Sequence, residues 1–255
     1  MNQESESHFT IRHLAPNFFV ILVAVVGLCL PSSSFAHMAN NEVFVLGTLY
    51  KRHEAVPGYD LAALQRMILA IKADVLVLDV SPTELEEQKV VPSKVEYSGV
   101  IFPLVREGQF RVYAGEPAEP MFSEIVQALI GANKELEKTN PGARAIIKRY
   151  NESTYEALNK IWLSPADVNS EVTERIISGK KALEERLVGT VETDAWKRWN
   201  HHAVSVVLRA VKENPGKRVL VITGIENCPG IRGELRGNKT INLIEMEPWL
   251  RSNVK

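Results

Sequence analysis

The chain is poor in cysteine, has no excess of charge of either sign, carries no internal repeat and lacks an apolar run long enough to cross a membrane. Only Cys29 and Cys228 occur in 255 residues, which excludes the disulfide framework that holds many small secreted domains. Lys and Arg number 30 against 31 Asp and Glu. Without a basic surplus there is no electrostatic footprint for nucleic acid or an anionic membrane surface. The absence of a fixed period sets aside solenoids and arrays.

The longest apolar run, Phe18 to Leu30, falls short of the roughly 20 residues a membrane helix needs. Arg12 and His13 precede it and the small-residue ending Pro31-Ser-Ser-Ser-Phe-Ala36 follows, the pattern of a secretory leader. Residues 1–36 are therefore expected to be a signal peptide, with the mature chain starting at His37 in the periplasm or outside the cell. Membrane attachment would come only from an uncleaved leader. Leu28 stands before Cys29 where a lipoprotein site wants a small residue. Losing Arg12, Glu4 and Glu6 leaves 29 charges of each sign. Cys228 then has no intramolecular partner, so a disulfide could only make a homodimer. The remaining stretch, 37–255, is enough for one sizeable core.

Val43 to Leu46 is apolar without alternation, as in a strand buried on both faces, and runs into Gly47 and a polar turn holding Tyr50, His53 and Glu54. A helix is expected over Tyr59–Lys72, with Leu61, Leu64, Ile68 and Ile71 on one face. A second strand spans Asp74–Val80, so the unit is βαβ. A short helix through Val100 to Val105 and a third strand over Gln109–Ala114 follow. From about 117 to 193 the apolar spacing is helical: Phe122, Ile125, Val126, Leu129 and Ile130, then Tyr155, Leu158 and Trp162. After Ser164-Pro165 come Val172, Ile176, Leu183 and Leu187. This helical insertion either closes over the strand ends as a lid or covers a sheet face. A helix over Asp194–Glu213, a strand over Arg218–Thr223 and an alternating edge strand over Lys239–Met246 complete the pattern. The fold class is α/β: a mostly parallel sheet flanked by helices, with a helical insertion in the middle third.

The first strand ends in Gly47-Thr48, the second in Asp79, and a late helix and strand lead to Gly224-Ile225-Glu226. In order and motif this resembles the TraB/GumN/Tiki group of the erythromycin-esterase-like superfamily, across most of the mature chain. The resemblance implies an exported or membrane-associated hydrolase using a divalent metal, in some members a peptidase. The chain departs from it at the motif positions. Tyr50 stands where the first motif has His, Asp79 where Glu is usual, and Asn227 where the late motif has His.

On this resemblance His53, Asp79 and Glu116 are the metal candidates. One imidazole among carboxylates suits Mn²⁺ or Ca²⁺ better than Zn²⁺. Glu116, Arg198 and Asn200 are the catalytic candidates, the last two resembling an Arg-Asn element of the family's late helix. Tyr50, Glu226 and Asn227 are the substrate-binding candidates. Each has a plainer alternative: His53 packs, Asp79 caps the next turn, Glu116 is a loop carboxylate, and Arg198 and Asn200 are helix surface. His201 and His202 are adjacent on a helix and cannot form a metal pair. Cys228 has no neighbouring base to activate it. Two functions remain open. One is a metal-dependent, peptidase-like hydrolase with a degenerate site. The other is a non-catalytic binding protein on the same scaffold, for a small-molecule or peptide ligand.

Overall fold

The computed structural model describes residues 40–254; the expected leader and its cleavage site lie outside the described residues. Five strands form one parallel sheet in the order β3-β2-β4-β1-β5. They are β1 (Asn41–Thr48), β2 (Val75–Leu78), β3 (Arg111–Ala114), β4 (Val219–Gly224) and β5 (Ile241–Ile244). All of β2 and β4 and nearly all of β1 is buried. That is why their sequences are continuous apolar runs, whereas the edge strands β3 and β5 are mixed.

Helix α1 (Leu61–Ile71) begins where the Asp60 carboxylate accepts the Ala63 N–H and ends at Lys72 in the left-handed region. Leu64, Met67, Ile68 and Ile71 are buried along it, each contributing on the order of 1.5–3 kcal/mol of transfer free energy. After β2, Ser81 and Glu84 form a reciprocal capping box on α2 (Pro82–Glu87). The short helix expected at Val100 to Val105 is a π-helical turn, Tyr97–Ile101, running into α3 (Phe102–Glu107).

The middle third is helical: α4 (Met121–Thr139), α5 (Pro141–Ile161), α6 (Pro165–Val168), α7 (Glu171–Val188) and α8 (Thr190–Glu213). Asn140-Pro141-Gly142 separates α4 from α5 because the Asn140 side chain caps the Ala143 N–H. The face expected for α7 is displaced. Val172 is 57% exposed, and the buried stripe is Thr173, Ile177 and Lys180. Two of those three are polar, so apolar spacing could not show them; the Thr173 hydroxyl accepts from Trp162 Nε1 at 2.9 Å, and Lys180 pairs with Glu184 at 3.0 Å. Two short helices had no clear apolar period: α9 (Cys228–Leu235) and α10 (Met246–Asn253).

From β1 the chain passes across β4 to reach β2, while from β4 it passes across β1 to reach β5. Parallel crossovers are right-handed, so these opposite steps leave on opposite faces of the sheet. A crevice opens outside the carboxyl ends of β1 and β4, which run in register up to Thr48 and Gly224.

Candidate functional site

A cavity of about 300 Å³ occupies that crevice. Its floor is made by the ends of the four inner and neighbouring strands: Thr48 to Tyr50 after β1, Asp79 after β2, Glu116 after β3, and Gly224 to Asn227 after β4. Tyr50 opens the short 3₁₀ segment Tyr50–Glu54 with φ of +51°, a strained conformation for a tyrosine. Its hydroxyl donates to Asp79 Oδ2 at 2.6 Å. Only a glycine at 224 leaves room for this, since a Cβ there would lie 2.4 Å from the Tyr50 hydroxyl oxygen. The same Oδ2 accepts the Gly224 N–H at 3.0 Å and Asn227 Nδ2 at 3.4 Å. Behind it the Tyr97 hydroxyl accepts the Asp79 N–H at 2.9 Å and donates to the Ile222 carbonyl at 3.2 Å. Burial, then Asp79, keep both tyrosine hydroxyls protonated far above the ordinary range.

Glu116 stands beside Asp79 with Lys94 between them. Lys94 Nζ donates to Glu116 Oε1 and to the Asp79 carbonyl, each at 2.7 Å. Burial and the Asp79 charge push Glu116 up to about 8, against the opposing pull of Lys94. Burial alone would lower Lys94, but Glu116 and Asp79 outweigh it and raise the amine. The arrangement is two carboxyl groups, one ammonium and one added proton at neutral pH, which removes the net buried charge. Below this floor Glu96 is fully buried. No well-aligned hydrogen bond reaches either of its oxygens. Burial lifts it to about 7, and the nearby Thr48 hydroxyl and backbone N–H of Tyr50 offset only part of that.

The roof is formed by α4 and α5 of the helical insertion together with α8, the helix that follows it. Ile125, Val126 and Leu129 come from α4, Tyr155 from α5, and Ala195, Trp196 and Trp199 from one face of α8. A second cavity of about 390 Å³ adjoins the first, sharing Arg52, Tyr155, Trp196 and Glu226 with it. At this junction the Tyr155 hydroxyl donates to Glu226 Oε1, and Lys180 lies 3.3 Å from the same oxygen. Burial would raise Glu226, but Lys180 and the Tyr155 hydroxyl more than cancel it and hold the carboxyl low. The Arg52 guanidinium lies 3.7 Å over the Tyr155 ring.

Five of the residues expected at the site, Tyr50, Asp79, Glu116, Glu226 and Asn227, line this cavity. His53 does not. Its Nδ1 donates to the Tyr59 carbonyl at 2.7 Å and its Nε2 accepts the Leu49 N–H at 3.1 Å. Burial lowers its pKa, so it is a neutral imidazole with both nitrogens occupied by the turn it stabilises. The metal trio His53, Asp79 and Glu116 fails on the chemistry of its donors: no imidazole nitrogen is free, Asp79 Oδ2 already meets three donors, and Glu116 is held by Lys94. Among the described residues no group of three His, Cys, Asp or Glu side chains could hold an ion.

Arg198 and Asn200 also lie elsewhere. With Ala195 and Trp199 one turn apart facing the cavity, the residues flanking Trp199 point to either side of it. Arg198 pairs with Glu124 at 2.7 Å on the surface, and Asn200 packs on the Gly230 backbone of α9, its Oδ1 buried without a partner. Cys228 is buried at the start of α9, and burial pushes its thiol up to about 11, so it is neither a nucleophile nor accessible for a disulfide in the folded chain. Sequence reasoning missed Lys94, Glu96, Arg52 and the two tryptophans. Trp196 and Trp199, three residues apart on a strongly helical segment, were the one available signal. No family model matches the chain, and no curated protein or solved structure matches it.

Proposed function

We propose that the chain is an exported protein on a TraB/GumN/Tiki-like α/β scaffold that binds a small organic molecule at the strand ends, without a metal. The observation that carries this is the cavity itself: an aromatic and aliphatic roof, Trp196, Trp199, Ile125 and Leu129, over a floor of fixed polar groups, Tyr50, Asp79, Glu116 and Asn227. A largely apolar enclosure with a few convergent polar atoms is the usual form of a small-molecule site. The floor is positioned before any ligand arrives, because Tyr50, Gly224 and Tyr97 lock Asp79 in place. N-phenyl-1-naphthylamine, an uncharged fluorescent probe, tests the reading. The wild type should bind it with micromolar affinity, and Leu129→Trp, which fills the cavity, should bind it at least tenfold more weakly with an unchanged melting temperature. Equal binding by the two proteins would remove the cavity as the site.

A second reading, a metal-independent hydrolase, is favoured by one observation. Glu116 carries a proton near neutral pH, and among the described residues no donor meets its Oε2, while Oε1 is pinned by Lys94. Such a carboxyl can act as general acid toward a leaving group, with the adjacent Asp79 able to accept a proton from water. Hydrolysis of p-nitrophenyl esters that disappears in Glu116→Gln, with probe binding intact, would support it. Turnover equal in the two proteins would reject it.

A further inference from the structure

Two guanidinium groups line the second cavity with no carboxylate bound to either among the described residues. Arg144 Nη1 donates only to Asn133 Oδ1, at 3.0 Å. Arg52 stacks on Tyr155 and lines both cavities. Stacking occupies the face of its guanidinium and leaves the edge donors available. The carboxylates around them are committed elsewhere. Glu226 is held by Tyr155 and Lys180, Glu184 by Lys180 and Asn151, and Glu192 by Trp196 Nε1 at 2.7 Å. Glu152 remains at the solvent edge. Asn151 Oδ1 is buried on this wall with no hydrogen-bond partner, an acceptor awaiting a donor.

We infer that the ligand is an organic acid, its anionic head group held by Arg52 and Arg144 in the second cavity and its apolar body lying under Trp196 and Trp199. This rests on the reading of the strand-end cavity as a ligand site. Arg52 is the specificity-determining residue because it alone of the two belongs to both cavities. It lies two residues after Tyr50 in the same short 3₁₀ segment, and the Tyr50 hydroxyl is anchored to Asp79, so its starting point is fixed. Planar guanidinium groups bind carboxylate, sulfonate and phosphate oxygens through paired N–H donors.

Two probes that share their rings and differ in one sulfonate separate this inference from the one beneath it. They are 8-anilino-1-naphthalenesulfonate and N-phenyl-1-naphthylamine, titrated into the full mature chain. The wild type is expected to prefer the sulfonate at least tenfold. Arg52→Gln and Arg144→Gln should each weaken the sulfonate about tenfold relative to the neutral dye, since one charge-assisted hydrogen bond contributes roughly that much; for Arg144→Gln, which lines only the second cavity, binding of the neutral dye itself stays the same. An unchanged melting temperature shows that each variant is folded. Equal affinity of the wild type for both dyes, or a preference that survives in Arg52→Gln, overturns the acidic ligand and leaves the cavity reading standing. Failure of both dyes to bind overturns the cavity reading and the acidic ligand with it.

Discussion

Glu96→Gln should stabilise the protein, and by an amount that depends on pH. The Glu96 carboxyl is fully buried and its pKa is raised from an ordinary 4.5 to about 7. The folded state therefore holds a proton that the unfolded chain releases across that interval. The contribution of Glu96 to stability is full below about pH 4.5, is lost as pH rises to 7, and is level above it. A rise of about 2.5 units corresponds to about 3 kcal/mol at 1.36 kcal/mol per unit. Gln has nearly the same shape and cannot ionise, so the variant escapes this loss. Its advantage over wild type should grow from near zero at pH 4.5 to about 3 kcal/mol at pH 8, a melting difference on the order of 6–12 °C for a domain of this size. All other titrating groups occur in both proteins and largely cancel. Paired thermal melts at half-unit steps from pH 4.5 to 8.5 read it directly. A constant difference across that range would show that Glu96 is not buried as a neutral acid and that the floor is assembled differently.

Gly224→Ala should cost about 2–3 kcal/mol, because the new methyl occupies the space of the Tyr50 hydroxyl. Combining it with Tyr50→Leu in a double-mutant cycle should show strong non-additivity, whereas additive losses would separate the two positions. Tyr97→Phe should cost about 1–3 kcal/mol in chemical denaturation by leaving the Asp79 N–H and Ile222 carbonyl unpaired. Millimolar Mn²⁺, Ca²⁺ or Zn²⁺ should move the melting temperature by less than about 1 °C, while a specific ion at 100 times its dissociation constant would add about 2.7 kcal/mol. Intact mass of exported protein should begin at His37; a species retaining Phe18 to Leu30 would mean an anchor instead.

The sheet was legible because strands buried on both faces read as unbroken apolar runs, as in Val43 to Leu46 and Val75 to Leu78. Tyr50, Asp79, Glu116 and Asn227, named from the motif order, all follow strands, and the parallel sheet brings them to one edge. What failed did so for local reasons. His53 stands in the turn where a ligand would, but two backbone groups of its own turn capture both nitrogens, and sequence shows no such capture. Arg198 and Asn200 were chosen for their resemblance to an Arg-Asn element on a late helix, and the helical period put their neighbour Trp199 in the cavity instead. Lys94 and Glu96 sit between elements with no period to mark them. The buried stripe of α7 is partly polar, with Thr173 meeting Trp162 and Lys180 meeting Glu184, so apolar spacing pointed to the adjacent face.

The measurement that bears most directly on the strand-end cavity is an experimental structure of the mature chain with 8-anilino-1-naphthalenesulfonate bound. The rings should lie under Trp196 and Trp199, above Asp79 and Gly224, with the sulfonate oxygens within hydrogen-bond reach of the Arg52 guanidinium. Dye found on the outer surface while that cavity holds only solvent would contradict the account.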